Sequence, residues 1–170
     1  MGISMRATMV TDEQIRELSE DSSRQHELLI AIFHSNNEFC YLADYWDGLH
    51  YMLTGRRESS ELPLSILKKG DVEFSSNVDF SQRYPESTHA IYSTTVKALE
   101  VELQNLTGSV LPEHHDKLDS SFYPGRFWRS PDHDGSDFRE LMTYFNRLQN
   151  IVTTAATQNQ GLILYRYEDW

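Results

Sequence analysis

The run Trp46-Asp47-Gly48-Leu49-His50-Tyr51-Met52-Leu53-Thr54-Gly55 constrains this chain more than any other segment. At 3.6 residues per turn, Trp46, Leu49 and Leu53 share one face, Asp47 lies one turn from both His50 and Tyr51, and Thr54-Gly55 supplies a left-handed C-terminal cap. The pattern predicts a buried helix with a polar edge. Gly48 inside such a helix costs about 1 kcal/mol against Ala, a cost tolerated where another backbone or ring comes close. Trp46 and the segment Tyr123-Pro124 are the candidate neighbours.

Other elements are placed by their periods. Ile3, Met5, Ala7 and Met9 alternate with polar residues between Gly2 and Val10, which predicts an opening strand. Thr11-Asp12-Glu13-Gln14 reads as a capping box ahead of a short helix that begins with Ile15 and Leu18. Ser22 or Ser23 is the expected start of a second helix, carried by Leu28, Leu29, Ile32 and Phe33 up to Ser35-Asn36-Asn37. Leu62 to Leu67 is expected to form one or two helical turns near Pro63, ended by Gly70. Between Asp71 and Pro85 the composition predicts irregular chain with a short strand. Ser93 is the expected N-cap of a helix bearing Val96, Leu99, Leu103 and Leu106, with Gly108 closing it and a strand or anchor at Ala90-Ile91-Tyr92 before it.

Leu111 to Leu118 is a polar turn containing histidines, and the aromatics from Phe122 to Trp128, set around Pro124 and Gly125, predict a loop pinned to the body of the protein. From Ser136, a long last helix carries Phe138, Leu141, Met142, Phe145, Leu148 and Val152 on one face. Gly161 to Tyr167 follows as a strand whose continuous apolar start predicts burial on both faces, with the first strand as its neighbour. The expected result is an α/β layer structure in a single domain spanning residues 1–170.

Charge narrows the partners. Fifteen Lys and Arg against 26 Asp and Glu leave a net charge of −11, which repels phosphate backbones and anionic headgroups, so neither nucleic acid nor a membrane is an expected partner. No basic leader with a long apolar run opens the chain, and the cytoplasm is the expected compartment. Cys40 is the single cysteine and is expected to be a reduced, buried thiol without a chemical role.

Asp47 and His50 are the candidate catalytic residues, because a carboxylate three residues before an imidazole on a helix can orient it for acid–base work. No nucleophile elbow or glycine-rich phosphate loop accompanies them, and no cofactor is expected. His114-His115-Asp116 and Asp132-His133-Asp134 lack metal-ligand spacing and read as solvated polar loops, so no metal is expected either. Trp46, Asp47, His50, Tyr51, Tyr123 and Trp128 are expected to line one cleft or seal one corner of the core.

Four features together resemble the YfbM-like family of small bacterial proteins, a domain of unknown function. These are the opening Met1-Gly2-Ile3-Ser4-Met5, the helix from Asp44 to Gly55, Tyr123-Pro124 with Trp128 following, and the long last helix ending in a Gly-initiated strand. The stretch from Asp71 to Pro85 departs from the family pattern. The resemblance implies an α/β fold with a mixed sheet flanked by helices on both faces, in three layers, and it implies no established reaction. A compact acidic domain without a recognisable catalytic set is expected to bind a basic protein, with an immunity-type inhibitor of a toxin as the specific form. The alternative expectation is a small-molecule-binding protein or enzyme using the cleft near Trp46, His50, Tyr123 and Trp128.

Overall fold

The alternating residues at the chain's start form β1 (Gly2–Val10), which pairs along its whole length with β5 (Gly161–Asp169), from Gly2 opposite Asp169 to Val10 opposite Gly161. The computed structural model describes residues 2–58, 61–75, 88–106, 110–118 and 136–169. Among these, β2 (Phe39–Ala43), β3 (Val72–Glu73) and β4 (Thr88–Ile91) complete a five-stranded sheet in the order β2-β1-β5-β4-β3. Central placement explains the apolar run that opens β5. Leu162 and Leu164 enter one core cluster and Ile163 and Tyr165 the other, all four without solvent exposure.

Helices cover both faces. Ile15 and Leu18 of α1 (Asp12–Glu20) and Leu29 and Ile32 of α2 (Gln25–Phe33) bury against the Ile163 side. The Leu164 side is covered by α3 (Trp46–Thr54), α4 (Ser93–Asn105), α5 (Val110–His115) and α6 (Ser136–Thr157). The α/β fold with helices on both faces of the sheet is as the family resemblance implies. Within it, every described pairing is antiparallel rather than mixed. The reason is visible at one end of the sheet, where Val10 and Ile91, the last residues of β1 and β4, flank Gly161 and Leu162, the first of β5. The helical excursion after β4 returns the chain to the end it left, so β5 must run the opposite way.

That junction depends on Gly161. A Cβ there would stand 2.4 Å from the Ile91 carbonyl oxygen and 2.6 Å from Ile15 Cδ1. Gly161→Ala is therefore expected to lower the unfolding free energy by about 2–3 kcal/mol through overpacking, measured as a fall in the urea midpoint. An unchanged midpoint would show that the junction yields at no cost.

Local chemistry confirms some caps and reassigns others. Thr11 Oγ1 accepts the Gln14 N–H at 3.1 Å while Gln14 Oε1 accepts the Thr11 N–H at 2.9 Å, the expected capping box. Ser93 is not an N-cap but the first residue of α4. The Asp12 carboxylate accepts its N–H at 2.8 Å and its hydroxyl at 2.7 Å, so α1 supplies the anion at the α4 N-terminus. Neither Ser22 nor Ser23 caps α2. Asp21 Oδ1 instead accepts from the Ser23 and Arg24 N–H groups at 3.1 and 3.3 Å, and Arg24 takes the cap position.

Leu62 to Leu67 forms tight turns rather than a helix, closed by bonds such as Lys68 N–H to the Ser65 carbonyl at 2.9 Å. Strand β2 is an addition that helical spacing on either side of it concealed. Within β2 Cys40 is buried, and desolvation pushes its thiol up to about 12, which keeps it protonated and inert at neutral pH. Among the described residues, no helix is long and apolar enough to cross a membrane.

Candidate functional site

Helix α3 forms as its spacing requires. Gly55 adopts φ +65°, and its N–H donates to the Tyr51 carbonyl at 2.7 Å, the left-handed cap that Thr54-Gly55 predicts. Trp46, Leu49 and Leu53 face the core, but the polar edge is buried too, with Asp47 at 8% exposure and His50 at 0%. Trp46 anchors the helix start to the sheet by donating its Nε1–H to the Ile3 carbonyl at 3.0 Å. The Arg166 guanidinium, on β5, stacks over its ring at 4.2 Å from the centroid.

Asp47 and His50 share this corner and engage different partners. The Asp47 carboxylate pairs with Lys68, Oδ1 to Nζ 2.6 Å, both side chains being mostly shielded from water. His50 Nε2–H donates to the Glu58 carbonyl at 3.1 Å, which fixes the tautomer and leaves Nδ1 as a buried acceptor without a hydrogen-bond partner among the described residues. Desolvation lowers the His50 pKa to about 4, partly opposed by the Glu58 carbonyl. Lys68 and Arg166 lower it further, while Asp47 pulls it up. At neutral pH the site thus holds an uncharged imidazole beside an ion pair, and the imidazole takes its orientation from a backbone carbonyl rather than from Asp47.

Tyr51 is directed elsewhere. Its ring lies 6.1 Å from that of His114 on α5, whose Nδ1–H donates to the Met52 carbonyl at 2.7 Å. The structure therefore brings Trp46, Asp47 and His50 to one corner and turns Tyr51 toward α5. Tyr123 and Trp128 lie outside the described residues, as do Pro124, Gly108 and Asp132-His133-Asp134. Among the described residues no group of three or more His, Cys, Asp or Glu side chains is arranged to hold a metal ion.

Sequence reasoning missed the residues that organise the corner. Lys68 Nζ donates to the Arg57 carbonyl at 2.6 Å, Arg166 Nη2 to the Leu67 carbonyl at 2.9 Å, and His89 Nε2, on β4, to the Ile66 carbonyl. With His50 on Glu58, four side chains donate to four carbonyls of the connector between α3 and β3. Each satisfies a backbone acceptor that turns and loops leave without an intrasegment partner. The available signal was faint: an arginine interrupting the apolar β5 and a histidine within a buried four-residue strand.

Known proteins place the fold without a reaction. A family model described as a domain of unknown function, DUF1877, matches residues 1–165. The crystal structure of a protein of unknown function, YfbM from Escherichia coli, superposes with a TM-score of 0.67 at 17% identity, covering 95% of this chain and 98% of that one. At that identity the likeness speaks to fold alone. No functionally curated protein matches the chain.

Proposed function

The chain belongs to the DUF1877 family of domains of unknown function, and from that premise, which supplies a fold and no reaction, we propose that it acts by binding a basic protein partner rather than by catalysis. The observation that carries this reading is charge placed where a partner can reach it. Glu13, Glu17 and Glu20 are exposed along α1 with Asp21 beyond them, on a chain whose net charge is −11. Such a surface speeds encounter with a cationic protein and selects against anionic ones. Engagement of Asp47 by Lys68 and of His50 by the Glu58 carbonyl supports it further, since neither group is held for acid–base work on the other. The specific form proposed is an immunity-type inhibitor that covers a basic toxin.

The test is affinity purification followed by measurement on the recovered partner. Its Kd is expected to weaken at least tenfold when ionic strength rises from about 0.05 to 0.5 M, because exposed charges are screened over a Debye length that shrinks from about 14 to 4 Å. The double reversal Glu13→Lys with Glu17→Lys should reproduce that loss at low salt. An affinity indifferent to salt removes the reading.

A second reading rests on Nδ1 of His50, a buried acceptor with no partner among the described residues, for which a small ligand carrying a hydroxyl or amide N–H would supply a donor. Its test is a metabolite screen by thermal shift, repeated on His50→Gln. A stabilising compound that loses its effect in the variant would favour this ligand over the partner.

A further inference from the structure

Residues of β1 alternate between the two faces of the sheet, so Arg6 turns away from Met5 and Ala7 and stands on the side covered by α1 and α2, beside Tyr165, its partner on β5. Its guanidinium carbon lies 4.6 Å from the centroid of the Phe33 ring, at the end of α2, and 3.7 Å from that of Phe39 on β2. Nε–H donates to Thr8 Oγ1 at 3.1 Å, and Thr8 is itself fully buried. Phe33 is fixed in turn by edge contacts with Tyr165 at 5.4 Å and Tyr167 at 5.6 Å. Three side chains thus position the guanidinium, and none of them carries a charge.

What these contacts leave over decides the chemistry. Rings engage the faces of a guanidinium and Thr8 takes the Nε–H, whereas the Nη1 and Nη2 hydrogens lie in the plane and form a fork that matches the two oxygens of a carboxylate. Among the described residues no carboxylate pairs with Arg6 and no acceptor takes an Nη hydrogen, on a chain that carries 26 Asp and Glu. The residue beside it is in the same condition. The Tyr165 hydroxyl is buried, has no hydrogen-bond partner among the described residues, and lies within electrostatic reach of Arg6. An accepting oxygen would satisfy both the hydroxyl and the fork. Access is from the β2 side, where Arg6 is partly exposed and Phe39 is 52% exposed.

We propose that Arg6, with Tyr165, binds a small organic carboxylate whose apolar part rests on the Phe39 ring. One cation and one neutral donor match a single negative charge. A phosphate dianion would instead meet the net charge of −11 with one arginine to offset it. The site uses none of the acidic residues of α1 and stands independently of the basic-partner reading.

The experiment is titration of the intact protein with sodium benzoate, acetate and inorganic phosphate at neutral pH and constant ionic strength, followed by calorimetry and by NMR of the arginine side chains. Benzoate is expected to saturate, to shift the Arg6 Nε–H signal, and to bind more tightly than acetate or phosphate. Arg6→Lys keeps the charge but removes the fork, and should weaken benzoate about tenfold. Tyr165→Phe removes the hydroxyl alone and should weaken it about fivefold. Should Arg6→Lys not fold, the Arg6 signal of the unmodified protein and the affinity of Tyr165→Phe carry the test. Shifts that never saturate, or that spare Arg6, overturn the proposal, as does an affinity that either folded variant leaves unchanged. Phosphate binding at Arg6 more tightly than benzoate overturns the assignment to a carboxylate.

Discussion

Acidification from pH 6.5 to pH 4 is expected to remove several kcal/mol of unfolding free energy, enough to bring the protein close to its unfolding transition without denaturant. Two buried histidines set the window. Burial lowers both His50 and His89 from 6.5 to about 4, opposed in each case by the carbonyl that accepts the ring N–H. In the unfolded chain both imidazoles take up a proton as the pH falls through 6.5, whereas the folded protein refuses it until about 4. The unfolded state therefore binds more protons throughout the interval, and stability falls with pH until the folded histidines protonate. Each site contributes about 3 kcal/mol at this scale, against a total of about 5–15 kcal/mol for a typical domain.

Urea titrations at successive pH values between 7 and 4 are the measurement. Replacing both histidines by glutamine keeps an N–H donor for each carbonyl and is expected to flatten the profile over this window. A stability that stays level from pH 6.5 to 4.5 in the unmodified protein would mean that these imidazoles are not held neutral.

What was legible in the sequence was whatever depends on period and local capping. The α6 stripe, the apolar opening of β5, the Thr11–Gln14 box and the Thr54-Gly55 stop each carry their instruction within a few residues, and each appears where expected. Strand β2 does not, because five residues placed directly before a strong helix carry no period long enough to separate them from it. The antiparallel sense of the sheet was hidden for a different reason: it is set by where the helical excursions return the chain.

At the corner near Trp46, the Asp47-to-His50 spacing gave proximity but not partnership. Burial then decided that each would find a nearer group. Lys68, His89 and Arg166 were invisible because what they satisfy are backbone carbonyls, and any residue type presents the same carbonyl. Only the folded path of the connector shows which acceptors need a donor.

Breaking the Asp47–Lys68 pair from one side is expected to cost about 2–3 kcal/mol, whereas removing both charges together should cost clearly less than the two single losses combined. Asp47→Asn keeps the shape and leaves the Lys68 ammonium beside Arg166 with its counter-charge gone. Lys68→Met leaves the Asp47 carboxylate in a corner where its side chain is 12% exposed, and also abandons the Arg57 carbonyl. In each single variant a charge loses its 2.6 Å counter-charge, and in Lys68→Met the Arg166 guanidinium still acts on the Asp47 carboxylate and offsets part of the loss.

The double variant leaves an amide and a thioether, with Arg166 losing the Asp47 charge as it does in Asp47→Asn alone, so a coupling of about 1–2 kcal/mol should emerge from the cycle. Equilibrium urea unfolding of the four proteins measures it, and strictly additive losses would mean that the pair contributes no more than its exposed counterparts elsewhere on the surface. The same cycle bears on function. If Asp47 works on a substrate, Asp47→Asn will abolish turnover of whatever metabolite the screen finds while Lys68→Met preserves it. If Asp47 serves to hold the connector, both variants will instead weaken partner binding only as far as they loosen the fold.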